Sequence, residues 1–297
     1  MSESDCNIVS SRGIMKSCNI YSSTPYSSIR QVIGYDFSKI QQGDTVYICG
    51  SAIPHFISTE FTKITVPFIL VTGDCDECCP NDLFRSQLDF LKFIESDKII
   101  HWYSQNCIGK HPKLSQLPIG LDYHTMSNKN HEWGLQTSPH DQEKLLISIK
   151  NNSKPSLERV CKAYANFQFL MTTRFSNDRK DAIKKIPANC IYYEQSKITR
   201  LKTWANQSHY AFVVSPHGNG LDCHRTWEAL VLGCIPIVKT SPLDTLFAGL
   251  PIWIVKDWIE ITQESMNKKR IEFQEFQEID HINEKLNLSY WISHISK

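Results

Sequence analysis

The residues best suited to chemistry lie in one run, Ser215-Pro216-His217-Gly218-Asn219-Gly220-Leu221-Asp222-Cys223-His224-Arg225-Thr226-Trp227-Glu228-Ala229-Leu230. An apolar segment, Tyr210 to Val214, leads into the glycine-rich turn. A short helix follows and stops at Gly233, and a second apolar strand around Ile235-Pro236-Ile237-Val238 comes next. A turn of this kind offers unpaired backbone N–H groups at the positive end of a helix, a seat for a phosphate or diphosphate. Arg225 and Glu228, three residues apart, project from one helix face. A guanidinium there suits phosphates and a carboxylate one turn on suits ribose hydroxyls. The same spacing also fits a surface ion pair worth about 0.2–0.5 kcal/mol. His217 and His224 bracket the turn, where each can reach a leaving group or sugar, or simply cap the turn. Asp222 reads equally as the helix N-cap or as a sugar contact.

The segment resembles the sugar-nucleotide-binding motif of exostosin-type glycosyltransferases, G-N-G-x-D-x-x-R-x-x-E-A-L-x-x-G-C-x-P. The stretches Ser241-Pro242-Leu243-Asp244, Gly249-Leu250-Pro251 and Val255-Lys256-Asp257-Trp258 are similar to that family's continuation. The resemblance is close from about Tyr210 to Ile261. Upstream, Trp102-Tyr103-Ser104-Gln105-Asn106 and Leu117-Pro118-Ile119-Gly120-Leu121-Asp122-Tyr123 resemble short forms of these enzymes, including ones encoded by large DNA viruses. The resemblance implies an α/β protein of two Rossmann-like domains facing a cleft, the GT-B architecture. It also implies an inverting transfer from a nucleotide-diphosphate sugar, a UDP-sugar first of all, to a glycan or other hydroxyl acceptor. In that layout the loop opening the second domain reaches the phosphates, which makes Arg174 and Arg179 of Thr172-Thr173-Arg174-Phe175-Ser176-Asn177-Asp178-Arg179 candidate second cations. Solvated surface charge is the alternative for both.

Sugar transfer needs a base for the acceptor proton and electrostatic help for the departing diphosphate. The first domain is expected to supply the base. Asp74 is the first candidate and Asp76 the next, both beyond the buried strand Pro67–Thr72. Asp122, after Leu117-Pro118-Ile119-Gly120, and His101, inside the next strand, complete the set. Turn chemistry is the plainer explanation for the aspartates and a satisfied core histidine for His101. Asp74-Cys75-Asp76 has the spelling of a divalent-cation motif, and Cys75-x-x-Cys78-Cys79 with Cys107 and His111 suggests zinc at poor spacing. With a helix terminus and an arginine already on the diphosphate, no metal ligands and no cofactor beyond the donor are expected.

These groups must be positioned by alternating elements. Strands are expected at Ser17–Tyr21, Thr45–Cys49, Pro67–Thr72, Ile99–Trp102 and Gln116–Ile119, with helices at Ser27–Val32, Asp82–Ile94 and His140–Lys150. The polar Asn151-Asn152-Ser153-Lys154-Pro155 reads as a linker. A second series then runs through strand Phe167–Thr172, helix Asn177–Lys185, strand Cys190–Tyr193, helix Thr199–Gln207, the glycine-turn unit, and strand Ile252–Val255. Alternation of this kind implies parallel sheets covered on both faces. The expected domains are residues 1–155, on the acceptor side, and 156–297, on the donor side. The span Asp257–Leu286 places Phe273, Phe276, Ile279, Ile282 and Leu286 at helical spacing. Tyr290-Trp291-Ile292 would let the C-terminal segment cross back onto the first domain.

The 297 residues are 41% hydrophobic, and 32 Lys+Arg nearly balance 31 Asp+Glu. No basic run stands out, which argues against a nucleic-acid partner. Eleven cysteines, an odd number, without a secretory signal are expected to be reduced and mostly buried. The first residues are polar, and no stretch approaches the roughly 18 apolar residues of a membrane span. Animal exostosins are typically Golgi-anchored, so this departure implies a cytoplasmic enzyme, or one whose targeting lies elsewhere. Two alternatives stand beside the transferase: a non-catalytic nucleotide-sugar or carbohydrate binder, and another sugar-nucleotide enzyme such as an epimerase. The latter would require a G-x-G-x-x-G after the first strand, which is missing. Donor base, sugar, acceptor, linkage and oligomeric state are not legible.

Overall fold

Runs of β-branched and aromatic residues without alternation are strands buried on both faces, and the structure builds two parallel sheets from them. The computed structural model describes residues 2–167, 172–274 and 284–295. The first sheet has the order β1-β2-β3-β4, from β1 (Thr45–Cys49), β2 (Phe68–Gly73), β3 (Ile99–Gln105) and β4 (Leu114–Leu117). Val46, Ile48, Phe68 and Leu70 point into a core closed by Phe56 of α2 (Ile53–Thr59; α1 is Ser11–Lys16) and by Phe90 and Phe93 of α3 (Gln87–Ile94). Tyr47, Ile69 and Val71 point the other way, into a core that includes residues of the second lobe. Two further helices, α4 (His124–Asn128) and α5 (Pro139–Asn151), lead to the linker. Ser138 caps α5 by accepting from the Asp141 N–H, with Pro139 at the first helical position.

The second sheet contains β5 (Val160–Ala165), β6 (Ile191–Tyr193), β7 (Tyr210–Val214), β8 (Ile235–Lys239) and β9 (Trp253–Val255), in the order β6-β5-β7-β8-β9. Its helices are α6 (Ser176–Lys185), α7 (Arg200–Gln207), α8 (His224–Val231) and α9 (Gln263–Glu272). The strand order reverses between β5 and β7. In open parallel sheets the crevice beyond the carboxyl ends at such a reversal is where ligands bind. The glycine turn leaves β7 there. Gly233, at φ 72°, ends α8 in the left-handed conformation that costs glycine least, so β8 can start at once.

A helix α10 (Leu288–Ile295) packs against α1. Leu288 N–H donates to the Asn7 carbonyl (2.8 Å), Val9 N–H to the Leu286 carbonyl (2.8 Å) and the Tyr103 hydroxyl to the His294 carbonyl (2.8 Å). Leu288, Trp291 and Ile295 join the same core as Ile14, Met15 and Val71, and so do Trp227 and Leu230 of α8. One apolar core therefore runs beneath both lobes.

Several expected elements differ. Ser17–Tyr21 supplies a single bridging residue, Ile20, beside Val46. Ser27–Val32 is an irregular loop with Ser28 left-handed (φ 56°), and not a helix. The helix expected from Asp82 starts at Gln87, because Ser86 caps it by accepting from the Asp89 N–H. The strand opening the second lobe is Val160–Ala165; residues 168–171 of the expected Phe167–Thr172 lie outside the described residues. Phe276, Ile279 and Ile282 also lie outside them, and α9 covers only Gln263–Glu272 of that span. Among the described residues no helix is long and apolar enough to cross a membrane. All eleven cysteines are free thiols, and all but Cys161 and Cys223 are buried.

Candidate active site

The glycine turn is pinned from both sides. His217 N–H donates to Asp178 Oδ2 (2.9 Å), Phe175 N–H to the Gly218 carbonyl (3.1 Å), and the Arg174 N–H to Asn219 Oδ1 (3.3 Å). A methyl at Gly220 would stand 2.7 Å from Asn106 Nδ2 of the first lobe, and one at Gly218 would stand 3.0 Å from Arg179 Nη2. Gly220 is thus required by its close approach to the opposite lobe, while a side chain at Gly218 would displace the Arg179 guanidinium.

The start of α8 is docked on the first lobe. Asp222, 3% exposed, accepts from Ile119 N–H (2.8 Å), Cys223 N–H (2.9 Å) and Trp227 Nε1 (2.9 Å), while its own N–H donates to Asn106 Oδ1 (2.9 Å). Burial pushes its carboxyl up to about 6, against those hydrogen bonds. Asp222 therefore clasps the lobes together, with both carboxylate oxygens engaged, and Cys223, one residue on, occupies the N-cap position expected for it. His224 Nδ1 lies 2.7 Å from the Gly120 carbonyl and so carries the proton. His217 Nδ1 is held by the Leu221 carbonyl (2.9 Å) and caps the turn.

Arg225 and Glu228 do not pair with each other. Glu228 lies 3.7 Å from Arg200 Nε, both side chains being nearly buried. The Arg225 guanidinium lies 5.8 Å from the Phe167 ring, at the end of β5, and its buried Nη1 has no hydrogen-bond partner among the described residues. Arg179, 6% exposed, donates from Nε to the His217 carbonyl (3.2 Å). Burial and then the charge of Arg225 lower its pKa, and its Nη2 stands beside Gly218 of the turn. The nearby Thr173 hydroxyl is also buried without a partner among the described residues. Arg174 is committed elsewhere: it grips Asp82 of the first lobe with both terminal nitrogens. That ion pair across the lobes engages the side chain that the sequence offered as a second cation.

Facing these groups, the carboxyl ends of β2 and β3 carry Asp74 (φ 54°) and Asn106 (φ 48°), two non-glycine residues in the left-handed region. Such backbone persists where the surroundings over-determine it, often at working sites. Asp74, 7% exposed, accepts from Ser27 Oγ (2.6 Å) and Arg12 Nε (3.3 Å), so its carboxylate is already engaged. Asp76 is exposed to solvent, and Asn219 and His224 of the other lobe are near enough to favour its charged form. Burial, then Glu77, raises its pKa. Asp122 is buried beside His124 (Nδ1–Oδ1 3.2 Å) and Arg200 (3.5 Å), with the Thr125 N–H on Oδ1 (3.0 Å). Burial alone would raise it, but His124, His224 and Arg200 outweigh that and hold it well below the usual carboxylate range. His101 lies near the amino end of β3, bonded to Ser115 Oγ (2.8 Å) and packed on Tyr103, away from the other candidates. It is a satisfied strand histidine.

Across the lobes, His224 lies near Asp76 and Asp122, and Arg200 joins Asp122 to Glu228. Sequence reasoning missed Arg12, Ser27, Asn106, His124 and Arg200. Asp122-Tyr123-His124 directly after a strand was a readable signal, whereas Arg200 opens a helix like any surface cation. No group of three or more His, Cys, Asp or Glu side chains among the described residues is placed to hold a metal ion, and the Cys75, Cys78, Cys79 and Cys107 thiols do not form one. No protein-family model matches the sequence, and no curated protein matches it significantly.

Proposed function

We propose that this chain is a glycosyltransferase of the exostosin-like, GT-B kind. It moves a sugar from a nucleotide-diphosphate donor on the second lobe to a hydroxyl of a glycan or other acceptor offered to the first. The observation that carries this is the Arg225 guanidinium, near the start of α8 and the strand-order reversal, whose buried Nη1 has no hydrogen-bond partner among the described residues. A buried donor without an acceptor costs about 1–3 kcal/mol, and a diphosphate removes that cost while gaining charge-assisted bonds. Glu228, held by Arg200 one helical turn on, is the carboxylate for the ribose. As the glycosidic bond to the diphosphate breaks, the Arg225 guanidinium and the helix start stabilise the charge that develops on the leaving oxygens. The opposing aspartates and histidines bound the space where the acceptor hydroxyl meets the anomeric carbon. Inversion follows from attack on the face opposite the diphosphate.

The test is a thermal-shift panel with UDP, GDP, CMP and their sugar conjugates, followed by transfer and hydrolysis assays on whichever stabilises the protein. Stabilisation by a nucleotide sugar with transfer supports the enzyme. Stabilisation without transfer or hydrolysis would make the chain a binder, and no response to any nucleotide would remove the donor site.

A further inference from the structure

We infer that His224, the first residue of α8, is the base that takes the proton from the acceptor hydroxyl, at its Nε2; this rests on the transferase function proposed above. The sequence offers His224 as a contact to the leaving group or sugar, and the ring geometry gives it a different task. Its Nδ1 lies 2.7 Å from the Gly120 carbonyl of the first lobe. A carbonyl oxygen can only accept, so Nδ1 carries the proton and the free lone pair of the neutral ring is on Nε2. The orienting carbonyl is itself fixed: Gly120 bridges to Ser10, and the Leu121 N–H donates to the Val9 carbonyl (2.8 Å). The ring is half-buried. Among the described residues Nε2 has no hydrogen-bond or ion-pair partner, and, unlike the buried Nη1 of Arg225, it keeps contact with solvent. Nε2 is open to a hydroxyl.

One residue along a helix is about 100° of rotation, and the first two side chains of α8 part accordingly. His224 reaches Gly120 of the first lobe, while Arg225 lies by Phe167 at the end of β5. An inverting displacement needs this separation, because the hydroxyl enters on the face opposite the leaving oxygen. In the step, Nε2 takes the acceptor proton while the acceptor oxygen bonds to the anomeric carbon. The bond from that carbon to the diphosphate oxygen breaks, and its electron pair leaves with the nucleoside diphosphate. Asp76, Asp122 and Asp222 act on the ring to stabilise the imidazolium that forms, and His124 opposes them. Other candidate bases are engaged: Asp74 by Arg12 and Ser27, Asp122 by Thr125 and Arg200, and His101 by Ser115. Asp76 is the rival that remains.

The experiment compares wild type, His224→Asn and Asp76→Asn with the UDP, GDP or CMP sugar that the thermal-shift panel selects. An asparagine amide can donate to the Gly120 carbonyl as Nδ1 does and has nothing in place of Nε2, so His224→Asn separates docking from proton transfer. It is expected to keep the donor thermal shift and to lower kcat by about 10²–10⁴-fold. Asp76→Asn should lose less. Transfer by folded His224→Asn within about threefold of wild type, a donor shift lost together with the rate, or a larger loss in Asp76→Asn overturns the assignment and leaves the transferase function standing. Failure of the wild type to transfer from any nucleotide sugar removes both. Should His224→Asn not fold, long-range ¹H–¹⁵N spectra of the wild type decide: a neutral ring protonated on Nδ1 supports the assignment, and one protonated on Nε2 overturns it.

Discussion

Replacing Arg225 by methionine should make the protein more stable and a poorer donor binder at once. Methionine keeps an unbranched stem beside Phe167 while removing the charge. Among the described residues no ion pair is lost, since Glu228 is held by Arg200 and no carboxylate pairs with Arg225. What disappears is a buried N–H donor without an acceptor, about 1–3 kcal/mol of cost, together with repulsion toward Arg179. At about 2–4 °C per kcal/mol for chains of a few hundred residues, the unliganded midpoint should rise by a few degrees. A charge-assisted bond to phosphate contributes about 1.5–3 kcal/mol, so donor affinity should fall about 10–150-fold. Differential scanning fluorimetry over a nucleotide-sugar titration reads both effects in one plate. A variant that melts lower than wild type yet keeps its full response to donor would refute the reasoning, because Arg225 would then be structural.

Gly220→Ala should cost about 1–3 kcal/mol by overpacking in chemical denaturation, since Asn106 is fully buried and held by the Asp222 N–H and cannot retreat; a loss under about 0.5 kcal/mol would show slack at the contact. Arg200→Met should lower stability by about 3–5 kcal/mol in chemical denaturation by leaving Asp122 and Glu228 uncompensated; a loss under 1 kcal/mol would mean the pair is solvent-relaxed. Asp222 has a folded pKa raised from 3.8 to about 6, so the native state holds the extra proton between those values. Its contribution is present below about pH 4 and is lost as pH rises through 6, about 3 kcal/mol in all. A stability profile of wild type against Asp222→Asn should diverge across that window and run parallel elsewhere.

Much of the frame was legible because parallel strands buried on both faces are unbroken apolar runs. Thr45–Cys49, Tyr210–Val214 and the helix stop at Gly233 read directly. Val160–Ala165 did not, because Lys162 and Cys161 interrupt the run at a strand whose amino end is only partly covered. The site divides similarly. Local geometry around Arg225 follows from spacing along one helix, so its placement could be read. Partnerships across the lobes could not: nothing in Glu228 announces Arg200, and nothing in Asp222 announces the Ile119 amide. The position of Asp74 after a strand suggests a base, and position says nothing of Arg12 and Ser27, which come from far earlier in the chain.

The placement of α10 has a consequence for how the protein is made. On the ribosome, β1 to β4 emerge long before residues 284–295, yet those residues cover apolar groups around α1 and pair with Asn7 and Val9. Until they appear, that face of the nascent chain remains wet and adhesive. Packing of the amino-terminal half around α1 is therefore completed only once residues 284–295 are available.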